Sequence, residues 1–287
     1  MIRGLYTGAA GMAVQQERLD ALSNNLANVD TTGYKRDIAV QKSFPTMLLR
    51  RMGDDGVRRI PFATDPIGSI DTAPVVGQLG TGVETNEYFT VFEDGSLQVT
   101  NAPFDLALRG EGFFVVDTPY GERLTRNGGF MLGPEGLLVN KDGYPLLGED
   151  GPIRVQLNNV QIDQDGVITQ NPRYADDPDR LVSERENNWE ESEVVDRIRL
   201  ANVREPRYLR KQGSSLWNAT RDSGEIADLQ TGDRPIVRQG FLETSNVNPV
   251  EEMVRMIEVN RAYEANQKVI QTQDASTGRL INDVMRA

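Results

Sequence analysis

The stretch Leu5–Val29, LYTGAAGMAVQQERLDALSNNLANV, places Leu5, Met12, Leu19 and Leu26 seven residues apart, with Leu22 and Val29 adding a second row. Seven residues are close to two turns of an α-helix. Each row therefore lies along one helix face, and such a face needs another helix to bury it. The spacing predicts a helix over residues 3–29, stopped by the turn chemistry of Asp30-Thr31-Thr32-Gly33. The same spacing returns at the far end in Met256, Tyr263, Ile270 and Val284, with Thr277 filling the row. That second helix has a clear start. Asn248 suits the N-cap, Pro249 the first helical position, and Glu251 complements the helix dipole. Unbroken to Arg286 it would span about 57 Å. Glu251–Arg255 and Glu264–Lys268 are i,i+4 pairs in the favoured order, and Gly278 is its weak point. The two rows can close on each other within one chain, or they can be buried by copies of the chain.

The first helix is weak by itself, because Gly4, Gly8 and Gly11 cost about 1 kcal/mol each relative to alanine. Its first turns are expected to be disordered in the free monomer and ordered on assembly, where the glycines let neighbouring backbones approach.

Between the helices the pattern changes twice. From Tyr34 to about Gly80, Phe44-Pro45, Met52-Gly53-Asp54-Asp55-Gly56, Pro61 and Pro66 mark an irregular or partly extended arm. Beyond it, short strands flank turn signals. Tyr88–Phe92 and Leu97–Thr100 bracket Glu93-Asp94-Gly95, Phe113–Val116 and Arg123–Thr125 bracket Pro119-Tyr120-Gly121, and Leu137–Asn140 and Tyr144–Leu147 bracket Lys141-Asp142-Gly143. Hairpins in this succession predict an antiparallel sandwich or barrel. Residues 173–197 hold nine acids and four bases, a solvated excursion, before strands resume at Ile198–Val203 and Ile236–Phe241. The expected class is α+β, with helical segments at 1–33 and 248–287, an arm at 34–80 and a mainly antiparallel β domain at 81–247.

Composition removes most chemistry. The chain has no cysteine and no histidine, which excludes thiol nucleophiles, Ser-His-Asp triads and nearly all zinc or copper sites. A net charge of −12 argues against nucleic-acid binding, and its distribution is uneven. Residues 1–33 and 249–287 carry −1 each and the middle carries −10, so the ends can pack densely while the middle faces water. No run of about 18 apolar residues exists, so no membrane insertion is expected. Gly4, Thr7, Gly8 and Gly11 interrupt the first twenty residues, so a cleavable secretory signal is not expected either.

Apparent active-site fragments are weak. Gly110-Glu111-Gly112 starts like a dinucleotide fingerprint, but Val115 stands at the third glycine and no βαβ unit surrounds it. Asp163-Gln164-Asp165-Gly166 lacks the remaining ligands of a calcium loop and reads as a hairpin turn. The acidic run 184–196 offers carboxylates for glycoside hydrolysis, with nothing to place two of them across a cleft. No catalytic residue, cofactor or metal ligand is assigned.

Three sets of strings carry a resemblance over nearly the whole chain. They are Ser23-Asn24-Asn25-Leu26-Ala27-Asn28-Val29 with Thr32-Gly33-Tyr34-Lys35-Arg36; Gly110-Glu111-Gly112-Phe113-Phe114 with Leu124-Thr125-Arg126-Asn127-Gly128; and Glu243-Thr244-Ser245-Asn246-Val247-Asn248-Pro249 with Asn260-Arg261-Ala262-Tyr263-Glu264. In these the chain resembles the flagellar basal-body rod and hook protein family. Within it, length and sequence look like the paired proximal and distal rod proteins, and Gly143–Ile153 is more like the proximal one. The resemblance implies N- and C-terminal helices paired as a coiled coil that lines a narrow export channel, a β domain outside, and an arm reaching to neighbours. It also implies export by the flagellar type III route and a place in the periplasmic shaft that carries torque to the hook. Partners would be copies of the chain, other rod, hook and ring proteins, and the export apparatus. The alternatives are a distal rod or hook-like axial protein and, in another class, a carboxylate enzyme acting on cell-wall glycans.

The expected assembly interface comprises Leu5, Met12, Leu19, Leu22, Leu26 and Val29, with Met256, Tyr263, Ile270 and Val284 opposite. Asn24, Asn25 and Asn28 are positioned to hydrogen-bond between helices or chains, Tyr34 and Lys35 to anchor the arm, and Asn248 to start the second helix. For Asn28, capping the end of the first helix is the single-chain alternative.

Overall fold

A computed structural model of the chain describes residues 2–50, 57–59, 69–71, 75–155, 160–171, 192–213, 215–230, 232 and 234–286. Most of the acidic stretch 173–197, and Met52–Gly56, Pro61 and Pro66, lie outside the described residues. The class is α+β, with helices α1 (Ile2–Ala27) and α2 (Pro249–Arg286) at the two ends and antiparallel strands between. No helix among the described residues is long and apolar enough to cross a membrane. The chain divides into two compact units: Met1–Ala21 with Ala39–Tyr88 and Val254–Ala287, and Leu22–Ile38 with Phe89–Met253.

In the first unit α1 and α2 run antiparallel. A Cβ on Gly8 would stand 2.9 Å from Ile270 Cγ1, one on Gly11 2.9 Å from Asn266 Nδ2, and one on Gly4 would collide with the Gln273 amide. The glycines that weaken α1 as an isolated helix thus admit α2 at close range, and α1 is helical from Ile2. Packing, rather than propensity, holds these turns.

The arm is more regular than its sequence suggests. Met47–Arg50 pairs with Val75–Leu79 and Val57–Arg59 with Ser69–Asp71, nested inside the pairing of Asp37–Ser43 with Val83–Thr90. Phe44-Pro45 falls between two strands, where a missing N–H costs no ladder bond. The outer pair also displaces an expected hairpin. Tyr88–Thr90 pairs back to Asp37–Ser43, and Leu97–Val99 pairs instead with Phe241–Glu243. Glu93-Asp94-Gly95 is therefore a crossing loop.

The second unit is built on the run Phe113-Phe114-Val115-Val116. A continuous apolar run cannot leave one face in water, so a strand made from it must be central and covered on both sides. It forms β1 (Phe113–Thr118), followed across Pro119-Tyr120 by β2 (Gly121–Thr125) in the expected hairpin. β3 (Leu200–Asn202), β4 (Arg210–Lys211), β5 (Leu216–Asn218) and β6 (Ala227–Asp228) complete an open six-stranded sheet in the order β4-β5-β2-β1-β3-β6. Phe114 and Val116 enter one apolar cluster with Leu106, Leu138, Leu146 and Ile198, while Phe113 and Val115 enter another with Leu124, Val203 and Trp217. Phe92, Phe113 and Trp217 meet edge to face at centroid separations of 5.3–5.7 Å. The expected turns at Lys141-Asp142-Gly143 and at Asp163–Gly166 both close hairpins.

Candidate functional site

Within the second unit, the segment that follows α1 meets the segment that precedes α2. The backbone turns at Gly33 with φ +65°, and its N–H donates to the Glu243 carbonyl at 2.8 Å. The next residue, Tyr34, is buried, and its hydroxyl donates to Asn24 Oδ1 at 2.9 Å and Asn25 Oδ1 at 3.1 Å. Asn25 in turn clamps residue 37. Its Nδ2 donates to the Asp37 carbonyl and its Oδ1 accepts the Asp37 N–H, both at 2.9 Å. A side-chain amide here does what a neighbouring strand would do. Asn246 repeats the device, accepting the Arg36 N–H at 2.8 Å and donating to the Val91 carbonyl at 2.9 Å.

The centre of the junction is ionic. Lys35 is 0% exposed and Glu243 1%, and Lys35 Nζ lies 2.6 Å from both Glu243 Oε1 and the Glu93 carbonyl. Glu243 Oε1 also accepts the Gly95 N–H, while Arg126 stands 3.5 Å from Glu243 Oε2 and donates to the Gly110 carbonyl. The Arg126 guanidinium lies over the Phe113 ring. Glu243 thus faces two buried cations. Burial lowers the Lys35 pKa below its ordinary 10.5, opposed by Glu243. Lys211 closes the rim, donating to the Lys35 carbonyl and Asp37 Oδ2 at 2.8 Å and standing 4.2 Å over the Tyr34 ring. Its pKa is lowered too, by burial first.

Tyr34 is pushed well above the ordinary 10.0, by burial first and then by Asp37 and Glu252. An acid whose folded pKa is raised keeps its proton while the unfolded chain loses it. The stability it contributes is whole below pH 10 and is lost as pH rises beyond that. Lys35 and Lys211, with lowered values, act in the opposite sense up to pH 10.5. Comparing wild type with Tyr34→Phe cancels the lysine effects. Near neutral pH the variant should be about 1 kcal/mol less stable, for the lost hydroxyl bonds. Its melting temperature should then fall less steeply than that of wild type between pH 10 and 11.5. Parallel curves would show that Tyr34 does not titrate in this way.

The residues expected at an assembly interface separate into two groups. Leu5, Met12, Leu19, Leu22, Leu26 and Val29 are half-buried, as are Met256, Tyr263 and Ile270, whereas Val284 is 75% exposed. Asn25 and Tyr34 are committed within the chain, and Asn28 donates to Asn24 at the end of α1, the single-chain alternative. Asn248 caps α2, its Oδ1 accepting the Val250 N–H at 3.1 Å. Sequence reasoning missed Val14, Ala21, Glu252 and Val259, which are buried, and the charges Arg126 and Glu243. Glu252 and Val259 belong to the row 252, 259, 266, 273, which a search for apolar heptads passes over because Glu, Asn and Gln occupy it.

Much of the junction, including Asn25, Tyr34, Lys35, Arg126 and Glu243, lies within residues that match known families. Three family models match the chain: Flagella basal body rod protein over residues 5–35, Flagellar hook protein FlgE/F/G D1 domain over 107–170, and Flagellar basal body rod FlgEFG protein C-terminal over 238–283. The chain is 34% identical over 286 residues to the flagellar basal-body rod protein FlgG of Buchnera aphidicola subsp. Schizaphis graminum, covering 98% of this chain and 99% of that one. It is 32% identical to FlgG of Borreliella burgdorferi, covering all of both chains, and 30% identical to the rod protein FlgF of Caulobacter vibrioides, covering 94% and 93%. The chain belongs to the flagellar basal-body rod protein family.

Proposed function

We propose that this protein is a non-enzymatic structural subunit of the flagellar rod, polymerising through α1 and α2 into the hollow shaft that carries torque to the hook. The observation that supports this most directly is the pattern of cover along α2. Positions 252, 256, 259, 263, 266, 270, 273 and 277 are buried or half-buried, at alternating steps of four and three, while most other positions are exposed. That is the period of a coiled-coil seam. It supports pairing of the terminal helices as a coiled coil, and on this reading the paired helices line the channel of the shaft. Partners on this reading are further copies, other rod, hook and ring proteins, and the flagellar export apparatus that delivers the chain to the periplasm.

Ile270→Asp and Leu19→Asp test the proposal. Each sets a carboxylate into a half-buried position of the helical unit, where any further burial on assembly leaves it unpaired. Both variants should keep the six-stranded sheet, read from near-ultraviolet dichroism, and should be lost from isolated basal bodies together with motility. Rods of normal length from either variant would remove these helix faces from the assembly. Imaging basal bodies that carry a tagged chain separates a proximal from a distal position.

A further inference from the structure

Apart from Val269, the large exposed apolar side chains on α2 gather at its two ends. Val250, Met253, Val254 and Ile257 lie in its first turns, and Leu280, Ile281, Val284 and Met285 in its last. The second group continues the packed face. Leu280 extends the row 252, 259, 266, 273, and Val284 extends the row 256, 263, 270, 277. α1 meets α2 at Gln273 through Gly4, and Leu280 stands two turns further on, 43% exposed. A face that is buried or half-buried along most of its length therefore runs on, more apolar than before, into exposed positions. Charge fits as well. With the buried Glu252 left out, residues 250–258 hold two acids and one base, a net −1, whereas residues 279–286 hold two bases and one acid, a net +1. Glu258 and Arg279, which border the two apolar groups, are both exposed, so the two ends attract when they meet.

Building on the rod reading, we infer that the last turns of α2, Leu280 to Met285, dock on the apolar first turns of α2 in a second copy of this chain. The two surfaces differ and sit on one helix, so the contact is heterologous. Repeated from copy to copy it generates an open polymer and not a closed dimer. Ile257 and Val284 are separated by about 40 Å along the helix at 1.5 Å per residue, so copies in contact are displaced by roughly that distance along the helix axis.

The chain has no cysteine, which makes the test direct. A disulfide needs Cα atoms within about 7 Å, so cysteines introduced at positions 257 and 284 of one chain cannot join each other. Basal bodies from cells producing the double variant Ile257→Cys/Val284→Cys are oxidised mildly and run on a non-reducing gel probed for this chain. The expected result is a ladder extending beyond the dimer, collapsed by reductant and absent from either single variant. Co-producing the two single variants should give a dimer, which serves if the double variant fails to assemble. Monomers throughout, in basal bodies that contain the chain, would overturn the contact while leaving the rod reading intact. Absence of the wild-type chain from basal bodies would overturn the rod reading itself. Leu280→Asp/Val284→Asp, at exposed positions, should reduce incorporation at least tenfold, and undiminished incorporation would overturn the contact.

Discussion

Glu243→Leu should destabilise the second unit by about 3–5 kcal/mol, the cost of breaking a buried ion pair from one side. The carboxylate is 1% exposed, holds Lys35 at 2.6 Å, stands 3.5 Å from Arg126 and accepts the Gly95 N–H. Without it, Lys35 keeps only the Glu93 carbonyl, Arg126 only Asp94 and the Gly110 carbonyl, and the Gly95 N–H loses its side-chain acceptor. Lys35→Met should cost less, because Arg126 still faces Glu243. Unfolding in urea, followed by Trp217 fluorescence in a Trp189→Phe background, measures both. The double variant should retain part of the loss, since Gly95 loses its acceptor and Arg126 keeps only Asp94, at 3.4 Å, and the Gly110 carbonyl, yet show a coupling of about 1 kcal/mol or more between the two sites. A Glu243→Leu cost under about 1 kcal/mol, or strict additivity, would show that the ion pair does not fasten the junction. Buried pairs often add little net stability over apolar residues, and what they supply is a single permitted arrangement. Here that arrangement joins the segment after α1 to the strand before α2, 208 residues apart in sequence.

How much of this was visible in the sequence depends on the range of the forces involved. The helices, their caps and the hairpins at Pro119-Tyr120 and Lys141–Gly143 are local. Periodicity and turn chemistry encode them, and they appear where expected. The pairing of Leu97–Val99 with Phe241–Glu243 is not local, and no turn signal announces it. The nested arm was hidden because its prolines and glycines look like disorder when read in order. Asn24 and Asn25 were legible as special but not in their roles. An amide can bond equally well within a chain or between chains, and only the fold decides that Asn25 spends both its groups on Asp37. Glu243 was the hardest. A carboxylate in a short strand reads as solvent-facing until the two cations that surround it, Lys35 and Arg126, are brought in from distant segments. Val284 continues the row in which periodicity places it, yet stands 75% exposed. Spacing alone says which side chains share a face and not where the partner helix stops.

Gly33→Ala separates conformational strain from collision, because the fold contains its own control. Gly33 has φ +65°, and a Cβ there would stand 2.5 Å from both the Arg126 carbonyl carbon and the Asn127 nitrogen, which are backbone atoms that cannot swing aside. Gly143 has φ +84° with nothing within 4 Å of its hypothetical Cβ. Alanine at Gly143 should therefore cost only the left-handed backbone term, about 1–2 kcal/mol. At Gly33 the same term is joined by a displacement that pulls the Gly33 N–H from the Glu243 carbonyl and shifts Tyr34 and Lys35 from their partners. The expected total is about 4 kcal/mol, in the range reserved for strain combined with a broken buried network. Urea unfolding of the two variants side by side decides the matter, and equal losses would mean that the turn is constrained by φ alone. A larger loss at Gly33 carries a consequence for assembly. The turn aims the chain as it leaves α1, so the variant should lose motility at temperatures where its sheet, judged by dichroism, is still folded. Gly143→Ala should swim normally under the same conditions.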